Sequence, residues 1–244
     1  MENIHLPTRI SLEQGEQPHA AILTVEPCYW GYGTTLGNAL RRVLLSTLPG
    51  AAVTAVKIKG ATHEFQAIPQ VKEDALQVIL NMKSLRLKLH SDQPIKLQLR
   101  KKGEGAVTAG DFEPNADVEI LNPDLHIATI TEAKGEFELE AVIERGRGYS
   151  ATEERKNNVD EIGMIAIDAL FSPIRNVGYR VENVRVGDIT NFDKLVMMIE
   201  TDGTVDPQEA IKQSAKILID HFRLLTGDSE VINPAPESTE APLA

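Results

Sequence analysis

The 244 residues are 42% hydrophobic and 25% charged, which suits one or two globular domains with a real core. With 25 basic and 36 acidic residues the formal charge is −11, which argues against a protein built to coat nucleic acid. The lone Cys28 excludes an intramolecular disulfide framework, and no run approaches the roughly 20 apolar residues that cross a bilayer.

At the amino terminus, Met1-Glu-Asn-Ile-His5 lacks the basic and apolar regions of a signal peptide, so a cytoplasmic location is expected. Arg9–Leu12 and Ala20–Glu26 read as two strands separated by the polar turn Glu13–Pro18, which predicts a hairpin. Between them and the first helix lies Cys28, expected to be a small buried hydrophobe.

The stretch from Gly31 to Gly50 predicts a helix over roughly residues 35 to 48, with Thr34 or Thr35 capping its start and Pro49-Gly50 stopping it. Leu36, Ala39, Leu40, Val43, Leu44, Thr47 and Leu48 cover about half of its circumference, more than a single core needs. The other side carries Asn38, Arg41, Arg42 and Leu45. A leucine framed by arginines fits a protein-contact hot spot, and equally fits a solvated charged face with one stray leucine. Glycines 31, 33 and 37 are spaced G-x-G-x-x-x-G, which matches neither the dinucleotide fingerprint nor the P-loop and argues against a nucleotide site.

Val53–Lys59 alternates as a half-buried strand, and a loop over Thr62–Pro69 precedes a second helix from about Lys72 to Lys83, with Ala75, Leu76, Ile79 and Leu80 as its apolar stripe. Strict alternation in Leu85–His90 and Ile95–Arg100, joined across Ser91–Pro94, predicts a β-hairpin. Val118–Ile120, Ile127–Ile130 and Phe137–Ile143 are further strand candidates, and polar Ser150–Asp160 is expected to be an exposed, flexible loop. Strands resume at Ile162–Ile167, Val177–Val181 and Leu195–Thr201, the last two returning to the sheet begun by residues 9 to 26.

The fold class that follows is α+β: a discontinuous antiparallel-sheet domain of residues 1–49 and 174–228 with two helices, and an inserted, mostly β domain of residues 50–173 with one helix. Residues 229–244, rich in proline and polar residues, are expected to be a disordered tail.

The last helix opens on Asp206-Pro-Gln-Glu209, which supplies a cap, a proline at the first helical position and an acid at the third. Its apolar residues span more than about 200°, and its charged and amide residues crowd into about 100°. Ile211, Ala215, Leu218, Phe222 and Leu225 step by four and three, a short heptad-like seam. Either the helix is sandwiched within its own fold, or one stripe meets a second chain. Wide arcs on both helices favour a homodimer.

Catalytic signatures are sparse. The six histidines show no pair at metal-ligand spacing, His63-Glu64 is not followed by the second histidine of a zinc helix, and no G-x-S-x-G elbow is present. Arg145-Gly-Arg-Gly148 fits a turn or a partner contact better than a phosphate site. A scaffold is the better reading.

The run Gly33-Thr-Thr-Leu-Gly-Asn-Ala-Leu-Arg-Arg-Val-Leu-Leu-Ser46 closely resembles the assembly helix of the bacterial DNA-directed RNA polymerase α-subunit family. Val71–Asp74, Asn122-Pro-Asp-Leu-His126, Arg145-Gly-Arg-Gly-Tyr149, Phe171-Ser-Pro173, Asp193-Lys-Leu195 and Thr201–Pro207 resemble further family motifs in family order. Together they cover roughly residues 20 to 228, the α amino-terminal domain.

The resemblance implies a homodimer that serves as the platform for the large β and β′ subunits, with ω and sigma completing the complex. The chain would then be part of a nucleotidyltransferase without carrying catalytic residues. No cofactor is expected on it, the magnesium belonging to a partner. The dimer interface would draw on Leu36, Leu40, Val43, Leu44, Ile211, Ala215, Leu218, Phe222 and Leu225. Asn38, Arg41, Arg42 and Leu45, with His63, Glu64 and Phe65, would face β. Lys83, Ile167, Asp168 and Ile174 would lie at contacts with β or β′.

Family members continue through an acidic linker to a helical carboxy-terminal domain that contacts promoter DNA. This sequence stops within a linker-like stretch, so direct DNA contact is not expected of it. Two other readings, a generic dimeric adaptor unrelated to transcription and a small-molecule enzyme using the Gly31–Gly37 loop, are separated from this one by pull-down of β and β′ and by ligand-dependent thermal protection.

Overall fold

A computed structural model describes residues 4–155, 161, 163–187 and 189–226. Strands β1 (Arg9–Gln14) and β2 (Ala20–Cys28) lead into helix α1 (Tyr32–Ser46). There follow β3 (Pro49–Ile58), α2 (Ala75–Lys83), β4 (Leu87–Leu89), β5 (Ile95–Lys102), β6 (Gly105–Thr108), β7 (Val118–Ile120), β8 (His126–Ile130) and β9 (Glu136–Arg147). Short strands β10 (Tyr149–Ser150), β11 (Ile165–Ala166) and β12 (Ala169–Leu170) precede the long pair β13 (Ile174–Val186) and β14 (Ile189–Thr201), and α3 (Pro207–Thr226) closes the described chain.

The expected α+β fold is what the chain adopts. One antiparallel sheet has the order β1-β2-β14-β13, so the first hairpin is rejoined by the last two long strands. Leu23 and Val25 of β2, Leu195, Met197 and Ile199 of β14, and Val177 of β13 are buried on one face, where α1 and α3 lie. Leu44, Leu48 and Cys28 belong to the same core. A second, larger core is built between the sheet β11-β3-β9-β5, the helix α2 and the two-stranded pairs β4-β7 and β6-β8.

Helix α1 starts earlier than its capping pattern predicts. Gly31 is the N-cap, with φ 82°, and neither threonine caps the first turn: the Thr35 hydroxyl donates back to the Gly31 carbonyl at 3.2 Å. The free amide of Gly33 instead donates to Oδ2 of Asp193, 3.0 Å away on β14 and itself buried. Gly31 serves this turn through its positive φ, whereas Gly33 and Gly37 are packing features. A Cβ on Gly33 would come within 2.9 Å of the Asp193 Cβ, and one on Gly37 within 2.7 Å of the Tyr179 ring. Only with hydrogen at both positions does the helix settle this close to β13 and β14.

Several local readings are corrected. Leu85–His90 and Ile95–Arg100 do not form a hairpin: β4 pairs with β7, and β5 pairs with β9. The buried face of α2 is Ala75, Val78, Ile79 and Met82, whereas Leu76 and Leu80 are exposed. The helix begins three residues later than expected, because Asp74 accepts the Gln77 amide at 2.7 Å as its N-cap. The strand read over Ile162–Ile167 contracts to β11, Ile162 lying outside the described residues, as do residues 156–160 of the polar loop and the tail from residue 227. The start of α3 is as expected, with Asp206 accepting the Gln208 amide at 2.8 Å and Pro207 as the first helical residue.

Candidate functional site

Helix α1 presents Asn38, Arg41, Arg42 and Leu45 on its exposed side. Among the described residues no carboxylate pairs with Arg41 or Arg42. Leu36 and Leu40 are half-buried against the core between the sheet and the helices, Val43 is half-buried, and Leu44 is completely buried. Leu44 therefore belongs to this chain's own core and has no surface for a dimer partner, a correction to the expected interface.

The loop carrying His63, Glu64 and Phe65 lies beyond the far end of β3, separated from α1 by ten strand residues, about 30 Å of extended chain. Gln66 organises it. Its side-chain oxygen accepts from the Thr62 amide and hydroxyl at 2.9 and 3.1 Å, and its amide nitrogen donates to the Gly60 carbonyl at 3.1 Å. On this braced loop His63 is exposed, Glu64 is half-buried, and Phe65 stands 75% exposed. The residues assigned by resemblance to β thus form two patches, one at each end of β3.

Lys83 and Asp168 are brought together as an ion pair at 3.6 Å. Asp168 also accepts the Thr152 amide at 3.0 Å and the Thr152 hydroxyl at 3.1 Å. The two Thr152 bonds, helped by the Lys83 charge, hold the Asp168 carboxyl below its usual range. Partial desolvation, together with the charge of the nearby Asp168 carboxylate, raises the Tyr149 pKa. Ile167 and Ile174, expected at the same contacts, are 1% and 5% exposed. Their side chains fill the interior, which leaves Lys83 and Asp168 as the two of the four that reach the surface.

The short motifs have a local explanation that sequence spacing did not reveal. Glu73 accepts from the Thr129 amide at 2.6 Å and the Thr129 hydroxyl at 3.0 Å, and lies 2.9 Å from the His126 ring. Burial alone raises its pKa; the bonds to His126 and Thr129 outweigh that and leave it lowered. At the other end of α2, Asn122 donates to the Ser84 carbonyl at 3.0 Å and accepts the Arg86 amide at 2.9 Å. Residues 71–74 and 122–126 are therefore one clamp on both ends of this helix.

The helix α3 changes character along its length. Ala210 and Ser214 are buried, and Ile211 and Ile217 pack on the core. Ala215 and Leu218 are half-buried, whereas Ile219, Phe222, Leu224 and Leu225 are 49%, 58%, 53% and 82% exposed. Beside it, β1 leaves Ile10 and Leu12 exposed although they stand opposite Val25 and Leu23, on the sheet face the helices cover. The alternation of Arg9–Glu13 carried this signal, but by itself it indicates only a strand. The aromatic residues Trp30 and Tyr32 at the start of α1 are exposed too.

A depression of about 570 Å³ over the outer face of the β3-β9-β5 sheet is lined in part by Lys59 and Glu138, which pair with each other at 3.2 Å. Among the described residues no group of three or more His, Cys, Asp or Glu is disposed to hold a metal ion, and no helix is long and apolar enough to cross a membrane.

Comparison with known proteins agrees with the architecture. Residues 56–172 match the RNA polymerase Rpb3/RpoA insert domain family. The chain is 50% identical to the DNA-directed RNA polymerase subunit alpha of Desulforamulus reducens over 233 residues, 96% of this chain and 74% of that protein. Its identity to the subunit alpha of Oceanobacillus iheyensis is 48%, covering 93% and 72% of the two chains. To that of Moorella thermoacetica it is 54%, covering 86% and 66%. Identity of this level across nearly the whole chain sets aside an adaptor unrelated to transcription: the chain belongs to the α-subunit family of DNA-directed RNA polymerases.

Proposed function

We propose that the chain homodimerises and that the dimer is the platform on which the β and β′ subunits assemble, with ω and sigma joining the complex. The observation that carries this reading is the distal half of α3, where apolar side chains on the heptad-like seam leave the fold uncovered. With Leu36, Leu40, Val43, Ile211, Ala215 and Leu218 beside it, and the open inner face of β1 next to it, a second copy has an apolar surface to cover. Apolar area removed from water stabilises by roughly 25 cal/mol per Å², and obligate interfaces cover about 2,000 Å² or more.

Asn38, Arg41, Arg42 and Leu45 then remain free on each copy to meet β, with His63, Glu64 and Phe65 as a second patch and Lys83 with Asp168 as a contact to a large subunit. The two copies present identical faces to different partners. Chemistry on nucleotides, and the magnesium it uses, is assigned to those partners, with no catalytic group or cofactor on this chain.

Light scattering of the purified chain tests the first half of the proposal, with an expected mass twice the 26.8 kDa of one chain. Leu45→Asp tests the second. It is expected to leave the dimer intact and abolish capture of β; dissociation of the dimer by this substitution would refute the assignment of faces.

A further inference from the structure

The last turn of α1 and the Lys83–Asp168 pair are joined by a short ribbon that sequence motifs treat as a turn. Pro49, just past α1, pairs with Arg147 at the end of β9. A Cβ on Gly148 would sit 3.2 Å from the Ser46 carbonyl, so the chain leaving β9 abuts the last turn of α1. One residue on, Tyr149 pairs with Leu170 in the β10-β12 ribbon. Residues directly opposite in a sheet share a face, and here that face is open: Tyr149 is 62% exposed and Leu170 65%.

The ribbon is firmly anchored from behind. Ala169 and Phe171 are buried and cluster with Ala52. A Cβ on Gly146 would lie 2.6 Å from the Phe171 ring, and the Phe171 amide donates to the Gly148 carbonyl at 2.8 Å. An aromatic and a leucine fixed in water gain nothing for a lone chain, yet such a pre-ordered anchor forfeits little entropy when a partner covers it. Arg147, two residues before Tyr149, and Arg42, one helical turn before Ser46, are exposed and without a carboxylate partner among the described residues, on a chain whose net charge is −11.

We propose that Tyr149 and Leu170 are the apolar centre of one continuous docking surface, running from Leu45 and Arg42 across Arg147 to Asp168, and that the β subunit covers it as a single footprint. The inference rests on the assembly reading above and extends it. The arginine face and the Lys83–Asp168 pair become two ends of one interface, and neither sits at its middle. The matching segment of β carries apolar side chains rimmed by carboxylates.

The test is titration of β against the full-chain dimer carrying Tyr149→Ser with Leu170→Ser. Both side chains face water, so dimer mass and thermal midpoint are expected to stay at wild-type values, while affinity for β falls by about 30-fold or more, as for a hot-spot pair. A second variant, Leu170→Arg, leaves Tyr149 in place and is expected to show the same loss, which guards against misfolding of the double variant. If both ribbon variants bind β normally while Leu45→Asp does not, the single footprint is wrong and the α1 face stands. If Leu45→Asp also binds normally, the assembly reading itself fails. Normal capture of β with loss confined to β′ would divide the surface into two sites and overturn the proposal.

Discussion

Gly37 shows how a single residue fixes the seat of the contact helix. Alanine in a helix interior is ordinarily favoured over glycine by about 1 kcal/mol. Here the added methyl would lie 2.7 Å from the Tyr179 ring and 3.0 Å from a Leu195 methyl, and overpacking of that kind costs about 1–3 kcal/mol. Gly37→Ala is therefore expected to lower the denaturation midpoint, with the clash exceeding the gain in propensity. Gly178, in β13, is the contrast. A Cβ there meets nothing within 4 Å, and Gly178→Ala is expected to be neutral or to stabilise by about 0.4–1 kcal/mol. Urea melts of both variants at one protein concentration decide the matter; equal midpoints would mean that α1 does not depend on this close approach. The same scale explains why three expected contact residues failed. Leu44, Ile167 and Ile174 sit within or beside family-like motifs, and a motif records that a residue type is needed without saying whether a partner or the chain's own interior needs it.

At the scale of elements, α2 is held by groups remote in sequence, and that makes its stability sensitive to acid. The Glu73 carboxyl lies below its usual range in the folded chain, so the unfolded chain binds the more protons as pH drops. Its contribution is complete above the ordinary carboxylate pKa and disappears as pH falls through the depressed folded value. Glu73→Gln removes the charge that receives the Thr129 and His126 bonds, and is expected to cost about 1.5–3 kcal/mol at neutral pH. The gap between wild type and variant should close as the solution is acidified; a gap independent of pH would show that the Glu73 charge is not what holds the clamp. This is also where sequence reading reached its limit. The hairpin β1-β2, the cap of α3 and the existence of all three helices were legible, because each depends on local periodicity and end residues. The partners of β4 and β5 were not. Alternation tells which side of a strand is wet and leaves its neighbour open, and here both neighbours, β7 and β9, come from later in the chain. The exposed leucine and arginines of α1 were legible from the helical wheel. The Tyr149–Leu170 ribbon was not, since its two residues meet only through pairing across 21 positions.

For the whole molecule, the central question is what covers the far half of α3. Its first half is anchored by Ala210, Ile211 and Ser214. From Ile219 onward the apolar side chains face outward, and the inner face of β1 lies open as well. A lone chain would leave this surface in water, and the second copy proposed here removes it. Phe222→Glu with Leu225→Glu is expected to shift the sedimentation coefficient from dimer to monomer at micromolar concentration, raising the dimer dissociation constant by at least about 30-fold. Because neither side chain belongs to the chain's own core, the far-ultraviolet circular dichroism of the variant should remain that of a folded α+β protein. Wild-type thermal stability should rise with protein concentration, since only the associated form gains the covered surface, and the variant should lose that dependence. A doubly substituted chain that stays dimeric would place the interface elsewhere, most directly along α1, and would then require the arginine-bearing face to be reassigned.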